Sequence, residues 1–243
     1  MKRLLILSMF LSLWGMGANA QDDKCDVNGD GVVNINDVIY VVDHILGKEH
    51  PITPTEEAGE AIDLGLPSGT KWANYNVGAT KPEEYGGYYA WGETEEKEVY
   101  SEDTYIYYKI SDDEYVNIGS DISGTKYDVD HVKWGGNWVM PTLDDIKELL
   151  DNCTSEWTTL NGVNGMKFTS KINGNSIFLP AAGYRWNDEF DYVGTDGFYW
   201  SSTRTPDGSY SAYNLYFFSG LALWYYSGTY RGYGQSVRPV VRN

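Results

Sequence analysis

W-G-G-N-W-V-M-P-T-L-D-D-I-K-E-L-L-D-N, residues Trp134 to Asn152, is the stretch that decides the fold class. Gly135 and Gly136 supply a turn, because glycine enters the left-handed backbone region without steric cost. Thr142 reads as an N-cap, followed by acids Asp144 and Asp145 where a helix macrodipole favours negative charge. Leu143, Ile146, Leu149, Leu150 and Cys153 then recur on one face, so a helix is predicted over Leu143 to Asn152. It is the one convincing helix of the large domain. On both sides, short aromatic and β-branched runs alternate with Gly, Asn and Asp. The class is therefore α+β, mostly β. Ala61 to Asn243 gives roughly 180 residues, enough for one domain with a sizeable core.

Five further strings flank that one: I-D-L-G-L-P-S-G-T-K-W-A (Ile62 to Ala73), Y-Y-A-W-G-E-T (Tyr88 to Thr94), I-F-L-P-A-A-G-Y (Ile177 to Tyr184), F-Y-W-S-S (Phe198 to Ser202) and S-V-R-P-V (Ser236 to Val240). Their order and spacing resemble the Fibrobacter succinogenes major paralogous domain over nearly all of Ala61 to Val241. That resemblance implies a C-type-lectin-like fold, with a helix after W-V-M-P-T, a strand after W-S-S and a closing strand at V-R-P-V. Trp72, Trp91, Trp134, Trp138, Trp200 and Leu179 are expected in the core, since large rings dominate small β-rich cores. Arg238 is expected to anchor the last strand through a buried or bridging ion pair.

At the other end of the chain, Asp26 to Asp37 reads D-V-N-G-D-G-V-V-N-I-N-D. Calcium takes six to eight hard oxygens. Asp26, Asn28 and Asp30 offer side-chain oxygens, Val32 a backbone carbonyl, and Asn34 and Asp37 the remaining ligands, with Gly31 at the sharp turn. Val38, Val41, Val42 and Ile45 follow on one helical face that ends at Gly47. The loop with its helix resembles one repeat of a type I dockerin, an EF-hand-like unit whose family binds cohesin modules in polysaccharide-degrading assemblies. A second repeat is absent from the sequence. Ca2+ is the expected cofactor, and a cohesin-like module is a partner the resemblance implies.

Residues 1–20 carry Lys2-Arg3, an apolar stretch from Leu4 to Trp14 and a small-residue exit at Ala18-Asn19-Ala20, the pattern of a secretory signal. The stretch is shorter than the roughly 20 residues of a spanning helix. A secreted or surface-associated protein is expected, with no membrane span. Loss of Lys2 and Arg3 takes the basic side chains from 18 to 16 against 35 acidic, so the formal balance falls from −17 to −19. That field repels phosphate backbones and argues against nucleic acid. Residues 21–47 are read as the dockerin-like repeat, 48–60 as a Pro-, Thr- and Glu-rich linker, and 61–243 as the lectin-like domain. Cys25 and Cys153 are the only cysteines and could pair outside the cytoplasm.

Ten of the 21 tyrosines fall between Tyr184 and Tyr233, among many Ser, Gly, Asn and Asp. Rigid aromatic area mixed with small adaptable polar groups is the composition of recognition loops. Candidate ligand-binding residues are Trp186, Asn187, Tyr210, Tyr213, Trp224, Tyr225, Tyr226 and Tyr230. The alternation in Ser211 to Gly220 suggests a strand, with Tyr213 and Phe217 placed opposite Leu215. No nucleophile stands beside a base, and the domain's sole histidine, His131, reads as structural. Glu93, Glu95, Glu189 and Asp191 are the carboxylates open to glycoside hydrolysis. The expected function is a binding module for a glycan or protein, not an enzyme. The alternative is an accessory or catalytic component of a polysaccharide-degrading system.

Overall fold

A computed structural model describes residues 54–109, 114–206, 210–224 and 228–242. The chain divides into two units, Met1–Pro51 and Ile52–Asn243, and the described residues all lie in the second. The calcium-loop residues Asp26, Asn28, Asp30, Val32, Asn34 and Asp37 lie outside them, as do Cys25, Tyr225 and Tyr226.

The second unit is α+β and mostly β. Its strands are β1 (Ala61–Asp63), β2 (Lys71–Ala73), β3 (Tyr108–Lys109), β4 (Glu114–Tyr115), β5 (Trp138–Val139), β6 (Cys153–Leu160), β7 (Val163–Ser170), β8 (Ser176–Pro180), β9 (Tyr184–Trp186), β10 (Glu189–Asp191), β11 (Asp196–Arg204), β12 (Ser211–Phe218), β13 (Leu221–Trp224), β14 (Thr229–Tyr230) and β15 (Val240–Val241). They pair into sheets ordered β1-β2-β15-β5, β6-β7-β8 and β11-β12-β13, with β14 also on β12, plus the hairpins β3-β4 and β9-β10.

The longer helix, α2, spans Leu143–Asn152. Thr142 and Asp145 form a reciprocal capping box, each side chain accepting from the other's backbone N–H. Leu143, Ile146 and Leu149 are buried, as the spacing predicts, and Ile146 and Leu149 pack with Trp72, Phe168, Leu179, Leu215 and Phe217. A shorter helix, α1 (Val129–Trp134), was not anticipated. It exists because the buried Asp128 carboxylate accepts from the N–H groups of Asp130 and His131 and also from Gly124 and Met140. Gly135 and Gly136 both turn with positive φ after it.

Trp72, Trp91, Trp134, Trp200 and Leu179 are buried as expected. Trp138 is only half-buried, edge-on to Trp134 at 5.1 Å. Arg238 is fully buried, and its anchor differs from the expected ion pair. It donates to Asn76 Oδ1 at 2.7 Å, Phe178 O at 3.0 Å and Ala73 O at 3.1 Å, all neutral oxygens. Burial pulls its pKa down to about 10, which keeps it protonated at neutral pH. Phe217 is also placed differently. It is fully buried beside Leu215, because residues two apart on a strand share a face, and Tyr213 lies on that same face against Trp224. Residues 54–60, linker by composition, are tied to the domain: Thr55 and Glu56 donate backbone N–H to Lys133 O, and Glu56 Oε2 accepts from Gly78 N and Trp134 Nε1.

Candidate ligand-binding face

The site is built on the β9-β10 hairpin. Asn187 sits in its turn at φ 55°, a conformation asparagine tolerates better than most residues. Its backbone exchanges two 2.7 Å hydrogen bonds with Tyr100, while that of Arg185 exchanges bonds with Gly234 at 2.7 and 3.0 Å. The Arg185 guanidinium lies over Tyr100 and Phe190 and donates to the carbonyls of Lys97 and Glu98. Alternation then turns Tyr184 and Trp186 to the opposite side.

On that side the rings form a run. Tyr184 stacks parallel on Tyr233 at 5.0 Å, and Tyr233 meets Trp186 at 4.5 Å. Trp186 leads to Tyr230 at 5.7 Å, Tyr230 to Tyr115 at 5.8 Å and Tyr115 to Tyr108 at 4.9 Å. In the other direction Tyr184 contacts Phe198 at 5.1 Å, Phe198 its cross-strand partner Tyr216 at 4.8 Å, and Tyr216 meets Phe218 at 5.7 Å. Phe218 is exposed and the other eight rings are half-buried. Tyr192, 57% exposed, leans on Tyr184 and Phe198. A contiguous run of partly exposed rings is a candidate interaction surface.

The polar groups on the run are phenols and carboxylates. Glu102 Oε1 accepts from Tyr230 at 2.5 Å and from Tyr115 at 3.0 Å, and the two phenols also bond to each other. Asp196 Oδ1 accepts from Tyr216 at 2.8 Å. Burial, reinforced by Asp191, pushes the Tyr184 phenol up to about 12. Tyr115 and Tyr230 are also raised, first by burial and then by the Glu102 carboxylate. These hydroxyls stay protonated at neutral pH and can donate.

Of the residues expected to bind, Trp186 and Tyr230 are neighbours in this run. Asn187 is exposed in the hairpin turn and Tyr210 is 55% exposed. Tyr213 and Trp224 pack edge to face at 5.8 Å. Trp224 pairs across the strands with the core residue Leu215 and lies under Lys147 of α2, so these two occupy the other face of the β11-β12-β13 sheet. Tyr184, Phe198, Tyr216, Phe218 and Tyr233 are not among the expected residues although they lie in the tyrosine-rich stretch, and Tyr108, Tyr115 and Glu102 lie outside that stretch altogether. The Y-I-Y-Y string at Tyr105 to Tyr108 was the available signal, but only the tertiary fold brings it beside the C-terminal rings.

Two of the four carboxylates weighed for hydrolysis are engaged in ion pairs. Glu93 binds Lys97 at 2.7 Å, Glu95 binds Lys133 at 2.8 Å, and Glu189 and Asp191 lie on β10. A groove of about 400 Å³ lies elsewhere, bordered by Ile62, Asn74, Lys167 and Phe178, and shares no residue with the ring run. Among the described residues no group of three His, Cys, Asp or Glu side chains could hold a metal ion. Nor is any helix among them long and apolar enough to cross a membrane.

Residues 151–240, from the last turn of α2 into β15, match a family described as a domain of unknown function (DUF8237). This span carries Tyr184, Trp186, Phe198, Tyr216, Phe218, Tyr230 and Tyr233, but not Tyr108, Tyr115 or Glu102. No curated protein and no solved structure matches the chain.

Proposed function

We propose that this protein is a secreted or surface-associated binding module that recognises a glycan through its aromatic face. In this reading the domain is C-type-lectin-like, of the Fibrobacter succinogenes major paralogous kind. The Asp26 to Asp37 loop is a dockerin-like repeat stabilised by Ca2+ and open to a cohesin-like partner. One observation carries the glycan assignment. The rings run in contact from Tyr108 to Phe218, and phenols and carboxylates beside them can bond sugar hydroxyls. Apolar ring faces cover the C–H faces of sugars, and the polar groups fix orientation.

The test is affinity electrophoresis of the mature protein through gels containing soluble plant or host polysaccharides, with Trp186→Ala alongside. Retardation by at least one polysaccharide, relieved in the variant, is expected. Wild-type migration unaffected across the panel would refute the assignment. Release of reducing sugar would favour the catalytic alternative.

A further inference from the structure

We propose that the bound glycan is an uncharged linear chain lying along several rings at once, rather than a single terminal sugar or an anionic polysaccharide. This rests on the glycan reading above and narrows it. The run links nine rings in sequence, each link between 4.5 and 5.8 Å. One pyranose is comparable in size to one aromatic ring, so a terminal sugar would cover one or two of them and leave the rest exposed. A chain lying over Trp186 and extending both ways would use them.

Charge selects among chains. The acids in contact with the run are Glu102 near one end and Asp196 near the other, while Asp191 raises the phenol pKa of Tyr184 and Tyr233 between them. All but one of the cations that meet rings are placed elsewhere. Lys97, Lys126 and Lys147 lie over rings outside the run, and Arg185 faces Tyr100 and Phe190. The exception, Arg231, meets Tyr115 at 5.8 Å and is fully buried against Trp91 and Tyr105. Chains bearing carboxylate or sulfate would therefore meet like charge at the surface, an unfavourable contact. A neutral chain meets acceptors. Glu102 is exposed with Oε1 engaged by the two phenols, and its second oxygen, Oε2, is an acceptor for a sugar hydroxyl.

The experiment is titration calorimetry of the mature protein with neutral β-glucan, xylan and mannan oligosaccharides from two to six units. Polygalacturonate and heparin serve as anionic probes. For at least one neutral series, affinity should rise about tenfold or more from disaccharide to hexasaccharide. Phe218→Ala and Tyr192→Ala, both on exposed rings, should weaken the hexasaccharide several-fold while leaving the disaccharide and the melting temperature nearly unchanged. A disaccharide that binds as tightly as the hexasaccharide would overturn the extended mode and leave the glycan reading standing. Tighter binding of polygalacturonate or heparin than of every neutral chain would overturn the charge assignment. No heat with any sugar would take down both readings.

Discussion

Replacing Trp200 by alanine should separate core from site by free energy. Trp200 is fully buried with Trp91, Ala212 and Val237, and its Nε1 donates to Tyr89 O at 2.8 Å. A buried indole covers about 200 Å², worth about 5 kcal/mol at 25 cal/mol/Å² as an upper bound. Aromatic-to-alanine changes in cores cost about 3 to 5 kcal/mol. The lost hydrogen bond adds only about 1 kcal/mol, because Tyr89 O also accepts from Gln235 N and is not orphaned. A loss of about 4 to 5 kcal/mol is expected, equivalent to a fall of roughly 10 to 18 °C in melting temperature for a unit of this size. Tyr210→Ser, at a ring 55% exposed, should change stability by about 0.5 kcal/mol or less. Urea unfolding followed by tryptophan fluorescence measures both, with calcium held constant. A Trp200→Ala protein within about 1 kcal/mol of wild type, or equal losses in the two variants, would refute this division of the rings.

Asp130 is fully buried with neither carboxylate oxygen hydrogen-bonded, and burial holds its pKa well above the usual range. Its folded pKa lies above the unfolded value, so its contribution is present at acid pH and lost as pH rises through the folded pKa. Asp128, raised to about 6 by burial, acts in the same direction. Asp130→Asn should therefore raise stability near pH 7 and flatten its decline from pH 4 upward; an unchanged slope in urea midpoint against pH would count against it. Gly197 faces the Phe217 ring where a Cβ would stand, so Gly197→Ala should cost about 1 to 3 kcal/mol in thermal unfolding, and a neutral result would mean that ring shifts freely. If the Asp26 to Asp37 loop holds one Ca2+, the ion stabilises the form that binds it. Calorimetry of the mature protein should then show binding heat that Asp30→Ala abolishes, and heat surviving in the variant would place the ion elsewhere.

The sequence carried the local signals well. Leu143–Asn152 and its Thr142 cap were legible because a helix start is written in neighbouring residues. Helix α1 was not, since six residues show little periodicity and its stability comes from the buried Asp128 gathering four N–H donors. Tyrosine enrichment located the C-terminal half of the aromatic face, but could not separate Trp186 and Tyr230 on one side from Tyr213 and Trp224 on the other. That separation depends on strand register and on which face α2 covers. Glu102, Tyr108 and Tyr115 join the site across more than a hundred residues, as the Glu102–Tyr230 bond shows. Arg238 looked like half of an ion pair because a buried guanidinium needs partners, and carbonyl and amide oxygens proved sufficient.

Strand β15 lies between β2 and β5, and the adjoining Arg238 ties the chain to Asn76, Ala73 and Phe178. During synthesis, β1, β2 and β5 emerge long before the strand that joins them. The four-stranded sheet therefore cannot close on a nascent chain until residues 238–241 have left the ribosome. Assembly of this sheet waits for that segment, and a clip of a few residues at this point would open the sheet in its middle instead of fraying an edge.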